Sequence, residues 1–134
     1  MTMTSVSRRV KGLVAAGAVV GAIAGVGLVA APAQATQLNG SCESGELCQY
    51  YLTGYRGAIF DLASSDLDFS NNVFPTSGYS ANNNTESYWN RDTYTWYVYT
   101  GANRTGYRGT IAPGASSNYN STYKNTVSGA SWHL

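Results

Sequence analysis

Hydrophobic residues are distributed in two different ways along the chain. Residues 12–33 form an unbroken apolar run without a charge, directly after Arg8, Arg9 and Lys11. Beyond residue 35, short aromatic or β-branched runs alternate with clusters of Gly, Asn, Ser and Pro, without helical periodicity. Short runs bounded by turn residues are typical of all-β domains. The predicted strands are LCQYYL, GAIFDL, SYWN, TYTWYVYT, RGTIA and VSGASWH.

The N-terminal apolar run predicts a signal peptide covering residues 1–35. Its basic start and the small-x-small sequence Ala33-Gln34-Ala35 are the features that signal peptidase requires. A retained membrane anchor is the alternative, because the run is long enough to span a bilayer. The abundance of Ala, Gly and Val, and Pro32 before the cleavage sequence, favour removal. We therefore expect a secreted, extracellular protein with one domain at residues 36–134.

The charge of the expected mature domain argues against a nucleic-acid partner. The domain contains five basic and seven acidic residues, a net charge of −2, whereas nucleic-acid binding needs a basic surface. All 11 Tyr, three Trp and three Phe lie in this part, which favours strands over helices. We expect a monomer that binds no nucleic acid and, once the signal peptide is removed, no membrane.

The two cysteines, Cys42 and Cys48, lie six positions apart in SCESGELCQ. In an exported chain this spacing predicts a disulfide, and closing so small a ring stabilises the fold by about 2 kcal/mol in the loop-entropy treatment. A redox or zinc pair is the alternative. Zinc would need two further ligands, and the chain contains a single His.

One string occurs twice in the mature domain. TGYRGAIFDLASS begins at Thr53 and TGYRGTIAPGASS begins at Thr105, 52 positions apart, and nine of the thirteen residues are identical. Two copies of one β motif predict paired Greek keys that pack together and bury each other's apolar face. Repeat one is expected at about 42–90 and repeat two at about 96–134.

The start of the first copy, YYLTGYRG, has the chemistry of a folded-over β-hairpin. Tyr50 is followed five residues later by Tyr55 and then, two positions on, by Gly57. Glycine accepts a backbone conformation that a Cβ forbids, and the two rings are expected to stack across the bend. Ile59 and Ile111, two residues beyond the Gly of each copy, are predicted to enter the core.

This aromatic-x4-aromatic-x-Gly arrangement, with a late Ser in each repeat, resembles the βγ-crystallin motif. The mature chain is also similar to small secreted bacterial relatives of that fold, the peptidase inhibitor family typified by the streptomycete metalloproteinase inhibitor. The similarity is carried by CESGELCQYY, SYWNRDTYTWYVYTGANRTG and KNTVSGASW. The resemblance implies an all-β, βγ-crystallin-like sandwich of two Greek-key motifs that inhibits an extracellular protease, expected to be a metalloprotease.

The second copy leaves two alternatives for its bend. In the first, Tyr107 and Gly109 form the bend, and the first aromatic position is filled by alanine. In the second, the motif is Tyr99, Arg104 and Gly106, with a guanidinium stacking where the second ring would lie.

A calcium site is a second hypothesis that follows from the resemblance. Calcium-binding βγ-crystallins use a stretch resembling Asn/Asp-Asn/Asp-x-x-Ser/Thr-Ser, in which oxygens meet the ion. NNTESY matches it except for its final Tyr, so Asn83, Asn84 and Ser87 are candidate ligands. KNTVSG in repeat two places Lys124 at the first ligand position, where a cation repels the ion. The alternative is that Ser87 and Ser128 hydrogen-bond to backbone within the fold, and no other cofactor is expected.

The residue types do not predict an enzyme. The only His of the mature domain is His133, next to the last residue, and a serine nucleophile needs a positioned base. Asp61, Asp66 and Asp68 are close in sequence, but such a cluster indicates a solvated turn more often than a catalytic pair.

The difference in length between the repeats points to a candidate inhibitory loop. Repeat one is 11 residues longer, and the excess falls in Ser70–Asn84, which contains Val73, Phe74 and Pro75. A thermolysin-like enzyme favours a large apolar residue just after the scissile bond, so this loop is expected to act as a slow substrate. The alternative is a connector whose Phe74 folds back into the core.

A carbohydrate- or cell-surface-binding role, toxin-like and without catalysis, is the third hypothesis. It would use exposed rings such as Tyr79, Tyr88, Trp89 and Trp96. Burial of the tryptophans in the core is the alternative.

Overall fold

The computed structural model describes residues 35–134, so the predicted signal peptide lies outside the described residues except for Ala35. This part contains seven strands in two antiparallel sheets and one 3-10 helical turn. The strands are β1 Leu47–Leu52, β2 Arg56–Leu62, β3 Ser87–Asn90, β4 Trp96–Gly101, β5 Thr105–Ile111, β6 Ser116–Asn118 and β7 Gly129–Ser131, and the 3-10 turn spans Phe69–Asn71. Within residues 35–134 no helix is long and apolar enough to cross a membrane.

Each repeat contributes one segment to the sheet of the other repeat. The first sheet has the order β2-β1-β3-β6 and the second the order β5-β4-β7. β6 belongs to repeat two but pairs with β3 of repeat one, and in return Asp66 of repeat one forms an isolated bridge with Ala130 of β7. Each repeat therefore supplies three strands to one sheet and a fourth segment to the other, which is Greek-key connectivity. The predicted all-β sandwich of two Greek keys is confirmed.

The core forms between the sheets from alternate positions of the strands. Leu47 pairs with Leu62, and Gln49 pairs with Phe60, so these side chains share the inner face. Burial of each large apolar side chain contributes about 1.5–3 kcal/mol. The buried cluster is Leu47, Phe60, Leu62, Phe69, Phe74, Ala81, Trp96, Val98, Ile111, Tyr119, Val127 and Ala130.

The two hairpins are equivalent at an offset of 49 positions, as from Leu47 to Trp96 and from Leu62 to Ile111. The offset of the repeated string, 52, is therefore not the offset of the fold. The first copy of TGYRG forms the bend between β1 and β2, whereas the second copy begins with β5 and lies within it.

The backbone angles identify the bend of repeat two. Tyr55 and Gly57 have φ of 60° and 79°, and Arg104 and Gly106 have φ of 64° and 75°. Of the two alternatives, the bend is therefore the one with Arg104 and Gly106. The Arg104 guanidinium donates to the Ser131 hydroxyl at 3.2 Å, and its predicted stacking on Tyr99 is not among the contacts of the described residues. Gly109 has no positive φ.

The assignment of Tyr107 and Gly109 to the bend is wrong, because both lie inside β5. Tyr107 is 71% exposed, and within residues 35–134 no ring contact of its side chain is observed. The predicted burial of Ile111 is confirmed, since it is 3% exposed. Ile59 pairs with Tyr50 on the outer face of the first sheet and is only half-buried, so the prediction that it enters the core is wrong.

Candidate inhibitory loop and its supports

The long loop of repeat one contains a small hairpin of its own. Val73 and Ser80 form an isolated antiparallel bridge. The Phe74 N–H donates to the Tyr79 carbonyl at 2.8 Å, and the Ala81 N–H donates to the Asn72 carbonyl at 3.0 Å. These bonds fix the backbone on both sides of Val73, so the loop has one defined shape.

Phe74 is the internal anchor of this hairpin. Its side chain is 0% exposed, and its ring lies 5.6 Å from the ring of Tyr51 and 6.2 Å from the ring of Phe60. The prediction that Phe74 is presented to a protease is therefore wrong, and the alternative of a ring folded into the core is the one observed. Removing a large aromatic ring from water stabilises the folded state, so burial of Phe74 is more favourable than its exposure.

The neighbours of Phe74 point outward. Val73 is 51% exposed and Pro75 is also exposed. Tyr79, on the opposite arm of the hairpin, is 54% exposed while its ring packs 5.1 Å from the ring of Tyr51. Val73 and Tyr79 are thus the large apolar side chains that this hairpin offers to a partner. The sequence marked Tyr79 only as a surface aromatic, because its position opposite Phe74 and against Tyr51 depends on the bridge.

The N-terminal segment supports the tip of the hairpin. A Cβ on Gly40 would lie 2.5 Å from the Thr76 side chain, so the Gly40 backbone lies directly against that residue. The segment is held in turn by Asp61, whose carboxylate accepts hydrogen bonds from the N–H groups of Asn39 at 3.0 Å and Gly40 at 2.8 Å. Burial raises the pKa of Asp61 above its ordinary 3.8, although these hydrogen bonds act to lower it.

The predicted disulfide between Cys42 and Cys48 is present, with their Cα atoms 5.7 Å apart. The ring closed by the disulfide is hydrogen-bonded to Arg91, the residue that follows β3. The Arg91 guanidinium donates to the Cys42 carbonyl at 2.8 Å, and the Gly45 N–H donates to the Arg91 carbonyl at 2.9 Å. The N-terminal segment is therefore held at two places, by Asp61 at Asn39 and Gly40 and by Arg91 at the disulfide ring.

The aromatic corner predicted at the first bend is present. The rings of Tyr50 and Tyr55 lie 5.8 Å apart at 69°, an edge-to-face contact. The Ser87 hydroxyl accepts a hydrogen bond from the Tyr55 N–H and donates to the Leu52 carbonyl. Gly57 lies against Leu52, since a Cβ there would be 3.2 Å from Leu52 Cγ.

The sequence profile of peptidase inhibitor family I36 matches residues 35–112, more than half of the chain. The chain belongs to family I36. The matched residues include the disulfide ring, the Tyr50–Tyr55 corner and the Val73–Ser80 hairpin of this I36 protein. No curated protein is similar enough in sequence to count as a relative.

Solved structures of βγ-crystallins share the fold of the I36 chain. A βγ-crystallin from Ciona intestinalis has a TM-score of 0.53 at 16% identity, covering 65% of this chain and 98% of its own. A βγ-crystallin from an archaeon has a TM-score of 0.52 at 22% identity, with coverages of 66% and 98%. A domain from Clostridium beijerinckii has a TM-score of 0.52 at 17% identity, with coverages of 64% and 94%. At these identities the likeness concerns the fold alone.

The calcium candidates of the I36 chain have their side chains engaged in internal hydrogen bonds. Asn83 Oδ1 accepts from the Ser128 hydroxyl at 2.7 Å, and Asn84 Nδ2 donates to the Ser80 carbonyl at 2.9 Å. Ser87 is held between Tyr55 and Leu52. Among residues 35–134 no three His, Cys, Asp or Glu side chains are grouped as metal ligands. A calcium ion bound by Asn83 and Ser87 would have to replace these hydrogen bonds.

Proposed function

We propose that this protein is a secreted inhibitor of an extracellular metalloprotease and that it places the loop of residues 70–84 in the substrate cleft of the enzyme. Membership of family I36 supports the inhibitory activity. The observation that carries the choice of loop is Val73, an apolar side chain 51% exposed on a backbone held by hydrogen bonds on both sides.

Val73 fills the position after the scissile bond, so the bond presented to the enzyme is Asn72–Val73. A thermolysin-like protease favours a large apolar residue at that position. Its metal ion polarises the carbonyl of the scissile bond, which in this chain is the Asn72 carbonyl. That carbonyl already accepts a hydrogen bond from the Ala81 N–H at 3.0 Å. The carbonyl oxygen has a second lone pair for the metal ion, and the hydrogen bond keeps the backbone on both sides of the scissile bond in place. The two ends created by cleavage are therefore held together, so the loop binds as a substrate does but is hydrolysed slowly.

The loop binds without a large ordering cost because its shape exists before the enzyme arrives. Phe74 is buried, and Pro75 has a restricted φ. Immobilising a flexible segment costs about 0.5–1.5 kcal/mol for each side chain that is ordered. A loop that is already ordered avoids most of this cost.

The test is a titration of the purified protein against three secreted enzymes: a thermolysin-like, a subtilisin-like and a trypsin-like protease. We expect inhibition of the thermolysin-like enzyme at a stoichiometric ratio. We expect none of the trypsin-like enzyme, because residues 70–84 contain no Lys or Arg. Inhibition of the trypsin-like enzyme alone would reject the loop assignment and direct attention to the arginines.

Failure to inhibit any of the three enzymes would contradict the proposal. The alternative function is then a βγ-crystallin-type module that binds calcium or a cell surface without catalysis. Calorimetry with millimolar calcium and pull-down on cell-wall polysaccharide distinguish these two forms of the alternative.

A further inference from the structure

A cleft of about 320 Å³ opens along one side of the sandwich, away from the candidate inhibitory loop. It lies where β5, an edge strand of the second sheet, faces β6, an edge strand of the first. The loop at residues 70–84 packs instead on Tyr51 of β1 and Phe60 of β2. The cleft and the loop have no lining residue in common.

Three tyrosine rings form one wall of the cleft. The ring of Tyr119 lies 4.8 Å from that of Tyr88 and 6.3 Å from that of Tyr123. Tyr119 is 6% exposed, and its hydroxyl donates to Oε1 of the buried Gln49 at 2.8 Å. This hydrogen bond fixes the central ring of the wall. The ring of Tyr123 lies directly against the backbone of β5, since a Cβ on Gly109 would be 3.1 Å from it.

The rim of the cleft consists of hydroxyl and amide groups. Ser117 supplies a hydroxyl and Asn120 supplies an amide, whereas the Asn118 side chain lies on the outer face of β6 with Ser116. Asn120 Oδ1 already accepts from the Thr122 N–H at 2.9 Å. This amide therefore keeps its NH₂ group, a donor, for another partner.

No charged side chain lines this cleft in the described part of the chain. An ionic ligand would enter without a counter-charge, and burying an unpaired charge is costly. A purely apolar ligand would leave the rim hydroxyls and amides without partners, which also costs free energy. The volume is at the lower end of the range for small-molecule sites, which is about 300–1,000 Å³.

We infer that the cleft binds one neutral sugar ring. The apolar face of the sugar packs on Tyr88 and Tyr123, and its hydroxyl groups form hydrogen bonds with the Asn120 amide and the Ser117 hydroxyl. The activity is independent of protease inhibition, because the site uses different residues on a different side of the sandwich.

Saturation-transfer NMR tests the inference with glucose and N-acetylglucosamine as neutral probes and glucuronate as the charged comparison. We expect transfer to a neutral sugar and none to glucuronate. Absence of transfer to both neutral sugars at millimolar concentration would overturn the inference, and so would stronger transfer to glucuronate.

Two neighbouring serines provide a matched pair of variants. Ser117 faces the cleft, and Ser116 pairs with Trp89 on the outer face of the same strand. Ser117→Phe is expected to weaken sugar binding at least about tenfold, and Ser116→Phe to leave it unchanged. Equal binding by the two variants, checked as folded by near-UV circular dichroism, would overturn the assignment of the site.

A milder variant covers the case in which Ser117→Phe does not fold. Asn120→Ser keeps an acceptor for the Thr122 N–H but removes the NH₂ donor. It is expected to weaken sugar binding about threefold to tenfold, a loss of one hydrogen bond, while inhibition of a protease stays as in the wild type. Unchanged sugar binding in this variant would contradict the proposed rim.

Discussion

Val73 and Phe74 show how adjacent side chains take opposite roles. The bridge to Ser80 sets the direction of both, so that Val73 is half-exposed and Phe74 fully buried. In the proposed inhibitory role, Val73 would contact the enzyme and Phe74 would hold the loop in place.

Phe74→Ala is expected to lower the free energy of unfolding by about 3–5 kcal/mol, because it leaves a cavity between Tyr51 and Phe60. Urea denaturation measures the change. Loss of inhibition in this variant then follows from a disordered loop. A change below about 1 kcal/mol would show that the ring is not packed as described.

Val73→Asp is expected to leave the free energy of unfolding within about 0.5 kcal/mol, because the side chain is 51% exposed. Inhibition of a thermolysin-like protease should weaken by more than about tenfold, since a carboxylate enters an apolar subsite without a counter-charge. Val73→Leu is the control and should retain inhibition. An equal inhibition constant for Val73→Asp and the wild type would exclude Val73 from the contact.

At the level of elements, the bends depend on glycines with positive φ, and the surrounding space differs among them. Gly106 and Gly114 have φ of 75° and 78°. A Cβ on Gly106 would lie 2.2 Å from Thr100 Oγ1, whereas a Cβ on Gly114 would meet nothing within 4 Å. Backbone strain is thus common to both positions, and steric crowding is particular to Gly106.

Gly114→Ala is expected to cost about 1 kcal/mol from the left-handed backbone alone. Gly106→Ala should cost at least about twice as much, because the Thr100 side chain must move. Thermal or urea unfolding of the two variants gives the difference. Equal losses would mean that the fold-over of the β4–β5 hairpin is looser than its contacts indicate.

The sequence predicted the positions of the strands better than it predicted which residues of the two repeats are structurally equivalent. LCQYYL and SYWN coincide with β1 and β3, because aromatic and β-branched runs bounded by turn residues have one natural conformation. β6 was missed, since its residues Ser116–Asn118 are all exposed and polar. The bend of repeat two was ambiguous because Arg104, not an aromatic residue, takes the positive φ there.

The length difference between the repeats identified the candidate loop, but it did not show which side chain of the loop is exposed. The extra 11 residues of repeat one identified Ser70–Asn84. Which of Val73 and Phe74 points outward depends on the bridge to Ser80 and on the space beside Tyr51. Both are long-range features, and no local pattern encodes them.

At the scale of the whole molecule, two carboxyls, the buried Asp61 and the half-buried Asp66, make stability depend on pH. Burial raises the pKa of Asp61 and of Asp66 above the ordinary 3.8. Between 3.8 and these raised values the folded state binds more protons than the unfolded state, so stability falls as the pH rises. Asp68 has a lowered pKa through its hydrogen bonds to Ser70, and its opposite effect is confined to pH below 3.8.

The free energy of unfolding is therefore expected to decrease as the pH rises from 3.8 through the raised pKa values of Asp61 and Asp66. Asp66→Asn keeps an oxygen for the Asp68 N–H, a bond now made by Asp66 Oδ1 at 3.1 Å, and removes one of the two titrations. Its decrease should be smaller than that of the wild type. Urea midpoints at a series of pH values measure both, and a wild-type curve that rises over this range would contradict the assignment.

The strand exchange predicts that residues 35–112 do not fold alone, although they are the part matched by the family profile. A chain ending at Ala112 lacks β6 and β7, and with them Tyr119, Val127 and Ala130 of the core. Far-UV circular dichroism should show no sheet in such a chain. Removal of only His133 and Leu134, which are exposed, is the control and should leave the spectrum unchanged. A folded 35–112 chain would contradict the dependence of one repeat on the other.

The exchange of β6 and the Asp66 segment also bears on survival beside a digestive enzyme. A protease cuts a folded protein mostly through openings of one region at a time. Here the opening of either repeat also breaks the backbone hydrogen bonds of β6 with β3 or of Asp66 with Ala130, so partial opening costs more than it would in two separate domains. If the proposed loop meets a protease, the rest of the fold therefore presents few transiently opened segments that the enzyme could digest.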